Sequence, residues 1–313
     1  MLIVTGASGF IGLHLADALR RNDRPFALSS RRPVGGIGAE RFIQADRLVE
    51  TEIPADCIIH LAGRAHVLRE ESLDPAAEFR AANTDYPLAI ARAFAQRGTR
   101  RFIFLSSVGV LGNETAPGHP FTHESRPAPH NAYALSKLEA EEGLRAIAAE
   151  TGMEVVIIRP PLVYGAGAKG NFASLVGWLK KGIPLPLGAV HNRRSLVGID
   201  NLVDLVLTAI DHPAAANRTF LVSDGEDLST SDLLRRTAAA MGRPARLLPV
   251  PAPLLDGAAR LLGKATLAQR LLSSLELDIR FTRETLNWHP PTTVDEGLAR
   301  AVSSAREAPT RQH

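Results

Sequence analysis

Two side chains four residues apart on a helix share one face. The stretch NAYALSKLEAEE places Tyr133 and Lys137 at that spacing. An ammonium beside a phenol favours the phenolate and lowers a pKa that is ordinarily about 10, so the tyrosine becomes a usable proton carrier near neutrality. Such a pair is common by chance and gains meaning from what stands around it. Upstream, RFIFLSSVGVLG carries Ser106 and Ser107 at the end of an apolar run that reads as a strand. In open α/β sheets, ligands bind at the carboxyl ends of the strands.

The amino terminus supplies a second group of residues. MLIVTGASGFIG sets Gly6, Gly9 and Gly12 between a strand-like run and the helical stretch GLHLADALRRN. Glycine at such a turn accepts positive φ and lets a phosphate approach the backbone, with the helix's first amides facing the anion. The spacing is G-x-x-G-x-x-G rather than the G-x-G-x-x-G dinucleotide fingerprint, so the flanking strand and helix carry the expectation. About 20 residues past the turn, an acid would bond the ribose 2′-hydroxyl and an arginine would accommodate a 2′-phosphate. Here ALSSRRP has no acid and two adjacent arginines, Arg31 and Arg32. A guanidinium fork matches a phosphate dianion. NADP(H) is therefore expected ahead of NAD(H), with Arg31 as the clamp; two arginines on a solvated loop is the plain alternative.

Other reactive residue types carry less. Cys57 is the single cysteine and sits in the apolar run CIIHLAG, so an internal disulfide is excluded and a buried strand thiol is expected. His119, His123 and His130 crowd the stretch between the serines and the tyrosine, but GHPFTHESRPAPH has no zinc-ligand spacing. No metal is expected.

The elements that must position these groups alternate in kind. LIVT, PFALSS, RFIQAD, CIIHLAG, RFIFLSS and EVVIIRP read as strands, with helical stretches at about 74–96 and 132–150. Strands too apolar for a solvated face, alternating with helices, predict a doubly wound parallel sheet of Rossmann type. After Arg159 the stretches PPLVYGAGAKGNF and KKGIPLPLGAVHNRRS are rich in Gly and Pro and read as loops around a short helix. SLVGID and TFLVSD read as short strands separated by a helix near 201–211, and the chain is mostly helical from about residue 225. The expected division is a dinucleotide domain over about 1–160 plus about 195–224. A smaller, mostly helical C-terminal substrate domain takes about 161–194 and 225–300, and residues 301–313 form a frayed tail.

With 313 residues, 45% apolar and 22% charged, the chain can bury a large core. A net charge of +3 without a block of like charge suits small anionic ligands and excludes a nucleic-acid tail. A strand that begins at residue 2 leaves no room for a signal peptide, and no apolar run reaches a membrane span. A cytoplasmic protein without membrane insertion is expected.

Taken in order, the glycine turn, HLAG, SSVGVLG, YALSK and RPPLVYG resemble the extended short-chain dehydrogenase/reductases, and among them the NAD(P)-dependent nucleotide-sugar epimerases and dehydratases. The resemblance spans nearly the whole chain. It implies Tyr133 as the catalytic acid/base, Lys137 as its partner and ribose anchor, and Ser107 rather than Ser106 as the hydroxyl on the reacting oxygen. It brings Ser8, Phe10 and Ile11 to the cofactor with the three glycines. It also places adenine near Asp46 and Arg47, and the nicotinamide half near Leu61, Ala62, Gly63 and Pro160. On the substrate side it implies Val108, Asn171 and Arg194, with Arg193 as a substitute for Arg194 and a helix N-cap as the structural alternative for Asn171.

Three departures stand out. Leu162 replaces a frequent asparagine, Gly109 a hydroxyl residue and Leu111 a tyrosine. Val108 and Gly109 offer no Asp-Glu pair after Ser107, which counts against dehydration. GNFASLVGWLKKGIPLPLGAVHNRRSLVGIDNLVDL and TFLVSDGEDLST resemble a subgroup of lipopolysaccharide O-antigen biosynthesis, the UDP-4-keto-6-deoxy-N-acetylglucosamine 4-reductases. That resemblance, with the arginine pair, implies an NADPH-dependent 4-reductase whose product is UDP-N-acetylquinovosamine. A UDP-hexose or UDP-N-acetylhexosamine 4-epimerase holding NAD is the alternative, and a non-catalytic NAD(P)-binding regulator a remote one. The resemblance also implies a homodimer through the helix bearing Tyr133 and the long one before RFIFLSS, with packing of their alanine-rich faces within the monomer as the equal alternative.

Overall fold

The computed structural model describes residues 1–22, 24–33, 42–65, 74–168 and 170–307. The first strands are β1 (Leu2–Thr5), β2 (Phe26–Ser30), β3 (Phe42–Gln44), β4 (Cys57–His60) and β5 (Arg101–Leu105). They are followed by β6 (Glu154–Arg159), β7 (Leu162–Tyr164), β8 (Arg194–Gly198), β9 (Arg218–Leu221) and β10 (Asp227–Leu228). The early helices are α1 (Phe10–Arg21), α2 (Pro75–Arg80), α3 (Tyr86–Gln96), α4 (Ala132–Thr151) and α5 (Asn171–Lys181). Then come α6 (Ile199–Asp211), α7 (Thr230–Ala240), α8 (Ala252–Leu261), α9 (Ala265–Leu272), α10 (Arg280–Leu286) and α11 (Val294–Glu307).

Seven strands form one sheet in the order β3-β2-β1-β4-β5-β6-β9, and every neighbouring pair is parallel. The order reverses between β1 and β4, and a crevice at that point is where such sheets bind ligands. The expected Rossmann-type sheet is the observed one. Its strands are apolar along their whole length because both faces are covered. On one face Leu15 and Leu19 of α1 meet Leu202, Leu205 and Val206 of α6 in one core. On the other, Ile90 and Phe94 of α3 meet Leu144 and Ile147 of α4 in another.

The structure differs from the sequence reading in three places. LVY, read as loop, is strand β7, and β8 joins it and β10 in a separate three-stranded sheet. Only α6 and β9 of the stretch near 195–224 return to the large sheet. A third core of Phe172, Leu175, Leu196, Leu234 and Leu298 lies against the small sheet. The single helix expected over 74–96 is α2 and α3 joined by a wider π-type turn at Ala81–Asp85.

Candidate active site

The glycine turn joins β1 to α1 at the point where the strand order reverses. Gly6 has a φ of 69°, and a Cβ there would lie 2.5 Å from the Ala62 amide nitrogen. A Cβ on Gly12 would stand 2.4 Å from the Gly6 carbonyl oxygen. Backbone therefore packs on backbone, and no side chain fits. Gly9 caps α1 without any side-chain hydrogen bond, which leaves the amides around Phe10 and Ile11 for an anion. Ser8 is exposed beside them. This cradle fits the pyrophosphate of a dinucleotide.

The Ala7 amide donates to the Ser29 carbonyl at 3.2 Å, so the end of β2 lies against the turn. Arg31 and Arg32 follow it, exposed, and neither has an ion-pair partner among the described residues. Asp46 and Arg47 are exposed on a short turn after β3, which Tyr86 holds by donating to the Ala45 carbonyl at 2.9 Å. Leu61, Ala62 and Gly63 continue from β4 along the opposite side of the turn.

Helix α4 begins at Ala132 because Asn131 caps it, accepting from the Ala134 amide at 2.8 Å. That start puts Tyr133 in the first turn and Lys137 one turn further in. Lys137 is buried, and its Nζ donates to the Leu105 carbonyl at 3.0 Å and lies 4.5 Å from the Phe104 ring centre. A Cβ on Gly63 would be 3.3 Å from that Nζ, so the ammonium stands beside the expected nicotinamide-side backbone. Burial lowers its pKa to about 8, against the pull of Glu141, which favours the charged form.

Ser107 caps a short turn, Val108–Val110, by accepting from the Gly109 amide at 3.1 Å. Its hydroxyl also hydrogen-bonds Tyr133, which pulls the phenol's pKa down; burial outweighs this and holds it above its ordinary value. The shift is opposite in direction to the one the Tyr133–Lys137 spacing predicts. The cause is burial of the phenol, which disfavours the phenolate and outweighs the Ser107 hydrogen bond.

Val108 is buried, and its amide donates to the Pro160 carbonyl at 2.9 Å, which joins the ends of β5 and β6. A Cβ on Gly109 would meet Ser107 Oγ at 3.3 Å, so a hydroxyl residue there would press on the serine. Leu111 is core rather than cleft. His123 stacks on Phe281, and His130 bonds Asn131.

Glu141, Arg145 and Asn83 escaped the sequence reading. Ser106 donates at 2.6 Å to Glu141, a fully buried carboxylate one turn beyond Lys137. The same carboxylate receives Arg159 Nε at 2.9 Å and Nη2 at 2.5 Å, and Arg145 Nη2 at 3.1 Å. Glu141 thus ties together β5 beside Ser107, α4 beside Lys137 and β6 beside Pro160. Asn83, in the wide turn, accepts from the Arg64 amide at 2.8 Å and donates to Ser136 Oγ at 3.0 Å. It fastens the segment after Gly63 to α4.

On the small-sheet side, Asn171 is the first residue of α5, and Gly170 holds the N-cap position instead. Arg194 opens β8, half-buried, donating to the Ser273 carbonyl at 2.9 Å. No carboxylate pairs with it among the described residues. Arg193 is committed to Glu276 at 2.7 Å and Asp227 at 3.1 Å, so of the two Arg194 is the cation left for an anion.

Residues 2–223 match the NAD dependent epimerase/dehydratase family, and the chain belongs to it. A UDP-glucose 4-epimerase of Vibrio cholerae is 42% identical over 99% of this chain and 97% of its own length. A GDP-6-deoxy-D-mannose reductase of Pseudomonas aeruginosa is 28% identical over 99% and 98%. Among solved structures, RMD from Pseudomonas aeruginosa complexed with NADPH superposes with a TM-score of 0.75 at 24% identity, covering 97% of this chain and 98% of that one. The UDP-glucose 4-epimerase of Thermotoga maritima with UDP-glucose gives 0.77 at 22%, over 97% and 98%. The protein is an NAD(P)-dependent enzyme of the extended short-chain dehydrogenase/reductase type, in a family of nucleotide-sugar epimerases and reductases.

Proposed function

We propose that this enzyme uses NADPH to reduce the C4 keto group of a UDP-4-keto-6-deoxy-sugar. The substrate is UDP-4-keto-6-deoxy-N-acetylglucosamine and the product UDP-N-acetylquinovosamine. The observation that carries the reading is the Arg31–Arg32 pair, exposed beside the glycine turn with no acid at the end of β2. A 2′-phosphate suits that place better than a free ribose. The cradle of Gly6 to Gly12 with Phe10 and Ile11 holds the pyrophosphate. Asp46 and Arg47 take the adenine side, and Leu61 to Gly63, Lys137 and Pro160 the nicotinamide side. When bound, the nicotinamide supplies the hydride.

Tyr133 gives its phenolic proton to the carbonyl oxygen as it becomes a hydroxyl, and Ser107 steadies the same oxygen. A phenol held above its ordinary pKa is protonated at neutral pH, as a donor must be for reduction. Lys137 anchors the cofactor ribose. Arg194 meets the diphosphate, with Val108 and Asn171 beside the sugar nucleotide.

The 42% identity to a protein named as a UDP-glucose 4-epimerase favours a second reading, an epimerase that retains NAD and returns the hydride to the same sugar. Denaturing the purified protein, identifying released dinucleotide and titrating the emptied protein with both cofactors separates the two. NADPH preference, with NADPH oxidised by the 4-keto sugar, is the expected result. Co-purifying NAD, with UDP-glucose and UDP-galactose interconverted and no net cofactor use, would overturn it. Tyr133→Phe should lower turnover by roughly 10²- to 10⁴-fold and leave NADPH binding intact; unchanged function in that variant would point to a regulator.

A further inference from the structure

Eight large apolar side chains are markedly exposed among the described residues, and six of them lie in two stretches of chain, just after α5 and from Leu248 through α9: Ile183, Leu248, Leu254, Leu261, Leu262 and Leu267. Leu261 is 91% exposed and Leu262 71%. The segments that carry them are joined. The Leu185 amide donates to the Arg246 carbonyl at 2.9 Å and the Leu248 amide to the Leu185 carbonyl at 2.8 Å, while Pro251 leads directly into α8. Helix α8 has no buried residue and packs on α9. Exposed apolar side chains scattered singly need no explanation, but a clustered set marks a surface that something covers.

Charge says what kind of surface covers it. Residues 171–191 and 240–272 contain seven Lys and Arg and a single acid, Asp256. The rest of the chain holds 29 Lys and Arg against 32 Asp and Glu, so all of the net positive charge lies in these stretches. Lys180, Lys181, Arg243 and Arg246 are exposed beside Ile183 and Leu248; Arg260, Lys264 and Arg270 are exposed on α8, on α9 and between them. Asp256 is taken by Arg260 at 2.8 Å. A second copy meeting this face symmetrically would set like charges against one another. Leucines among basic side chains match the acyl boundary and headgroups of an anionic bilayer, onto which amphipathic helices lie without spanning.

We infer that the α8–α9 end of the molecule docks peripherally on an anionic membrane surface, with Leu254, Leu261 and Leu262 entering the headgroup region and the surrounding lysines and arginines binding lipid phosphates. The inference stands whichever sugar reaction proves correct.

Flotation of the full chain with vesicles tests it. Vesicles of phosphatidylethanolamine and phosphatidylglycerol should carry the protein, and phosphatidylcholine vesicles should not. Binding should weaken at least about tenfold when salt rises from ~0.1 to ~0.5 M. The double variant Leu261→Asp, Leu262→Asp should lose flotation, and Lys180→Glu with Lys181→Glu should weaken it. Both should keep wild-type NADPH binding and thermal unfolding, since these side chains are solvent-exposed. No flotation of the wild type on anionic vesicles overturns the inference. So does a concentration-dependent dimer that the leucine variant disrupts, which would assign the face to a second copy.

Discussion

Two buried carboxylates anchor two parts of this molecule, and they are balanced in different ways. Glu141 in α4 lies among cations: Arg159 grips both its oxygens, Arg145 reaches one, and Lys137 sits one turn away. Asp224, after β9, has only dipoles. It accepts from the Gly198 amide at 2.8 Å, from Asn201 at 2.7 Å and from Tyr164 at 2.7 Å. No cation pairs with it among the described residues, and burial raises its pKa. The first carboxylate is paired with cations beside Ser106 and Lys137. The second is held as an acceptor, joining β7, β8 and α6 where the small sheet meets the large one. The comparison teaches that a buried carboxylate's neighbours, rather than its depth, decide whether it touches the chemistry.

The largest effect is expected at Glu141. Glu141→Gln keeps the shape but leaves Arg159, only 3% exposed, without its counter-ion. Stripping one partner from a buried pair costs about 3 kcal/mol, readable in denaturant unfolding. Glu141 also favours the ammonium of Lys137, whose pKa is about 8 with that help. Without the anion it falls further, so the alkaline limb of kcat/KM moves to lower pH. The other ionisable groups around Lys137 are His60, kept neutral by burial, Tyr133, which stays protonated, and the cations Arg159 and Arg145 on Glu141 itself, so none supplies the lost negative charge. A variant with the wild-type pH profile would show that Glu141 is structural only.

Asp224→Asn should cost less, within about 1 kcal/mol, because relief of a desolvated anion offsets weaker bonds. The sign with pH distinguishes it. A carboxyl whose folded pKa is raised contributes stability that is complete below its unfolded pKa and is lost as pH rises through the folded value. Wild-type stability should therefore fall through that range more than the variant's, while the variant's pH–rate profile stays unchanged. A displaced profile would break the contrast between the two carboxylates.

Much of the dinucleotide side was legible in the sequence because its signals are local. A strand, three glycines and a helix follow one another within Leu2–Arg21, and Tyr133 and Lys137 share a helix face by spacing alone. What escaped depends on distant pairing. Glu141 reads as one more charge on a solvated helix until Arg159 arrives from β6. Leu162–Tyr164 is a three-residue strand between prolines and glycines, and only pairing with β8 makes it one. The spacing of Tyr133 and Lys137 shows which residues are neighbours but not how deeply the phenol is buried, and burial sets the direction of its shift. Asn83 left a faint signal, an Asn-Thr pair interrupting an alanine-rich helix just before Pro87.

The smallest effect sharpens the comparison most, because its sign is reversed. Arg145 bonds the same Glu141 oxygen as Arg159, but its side chain is 47% exposed and it also donates to Thr219 at 3.0 Å. Arg145→Met keeps much of the aliphatic stem and removes the charge. Loss of stability should stay within about 1 kcal/mol, since a solvated partner is screened. With one cation fewer nearby, Lys137 holds its proton slightly more tightly. The alkaline limb should therefore rise, by less than about half a pH unit, where Glu141→Gln lowers it. Salt should erase the Arg145→Met shift, because exposed charges are screened within a Debye length, and leave the Glu141→Gln shift in place. Movement of both limbs in the same direction would mean that the network acts on Lys137 through packing rather than through charge.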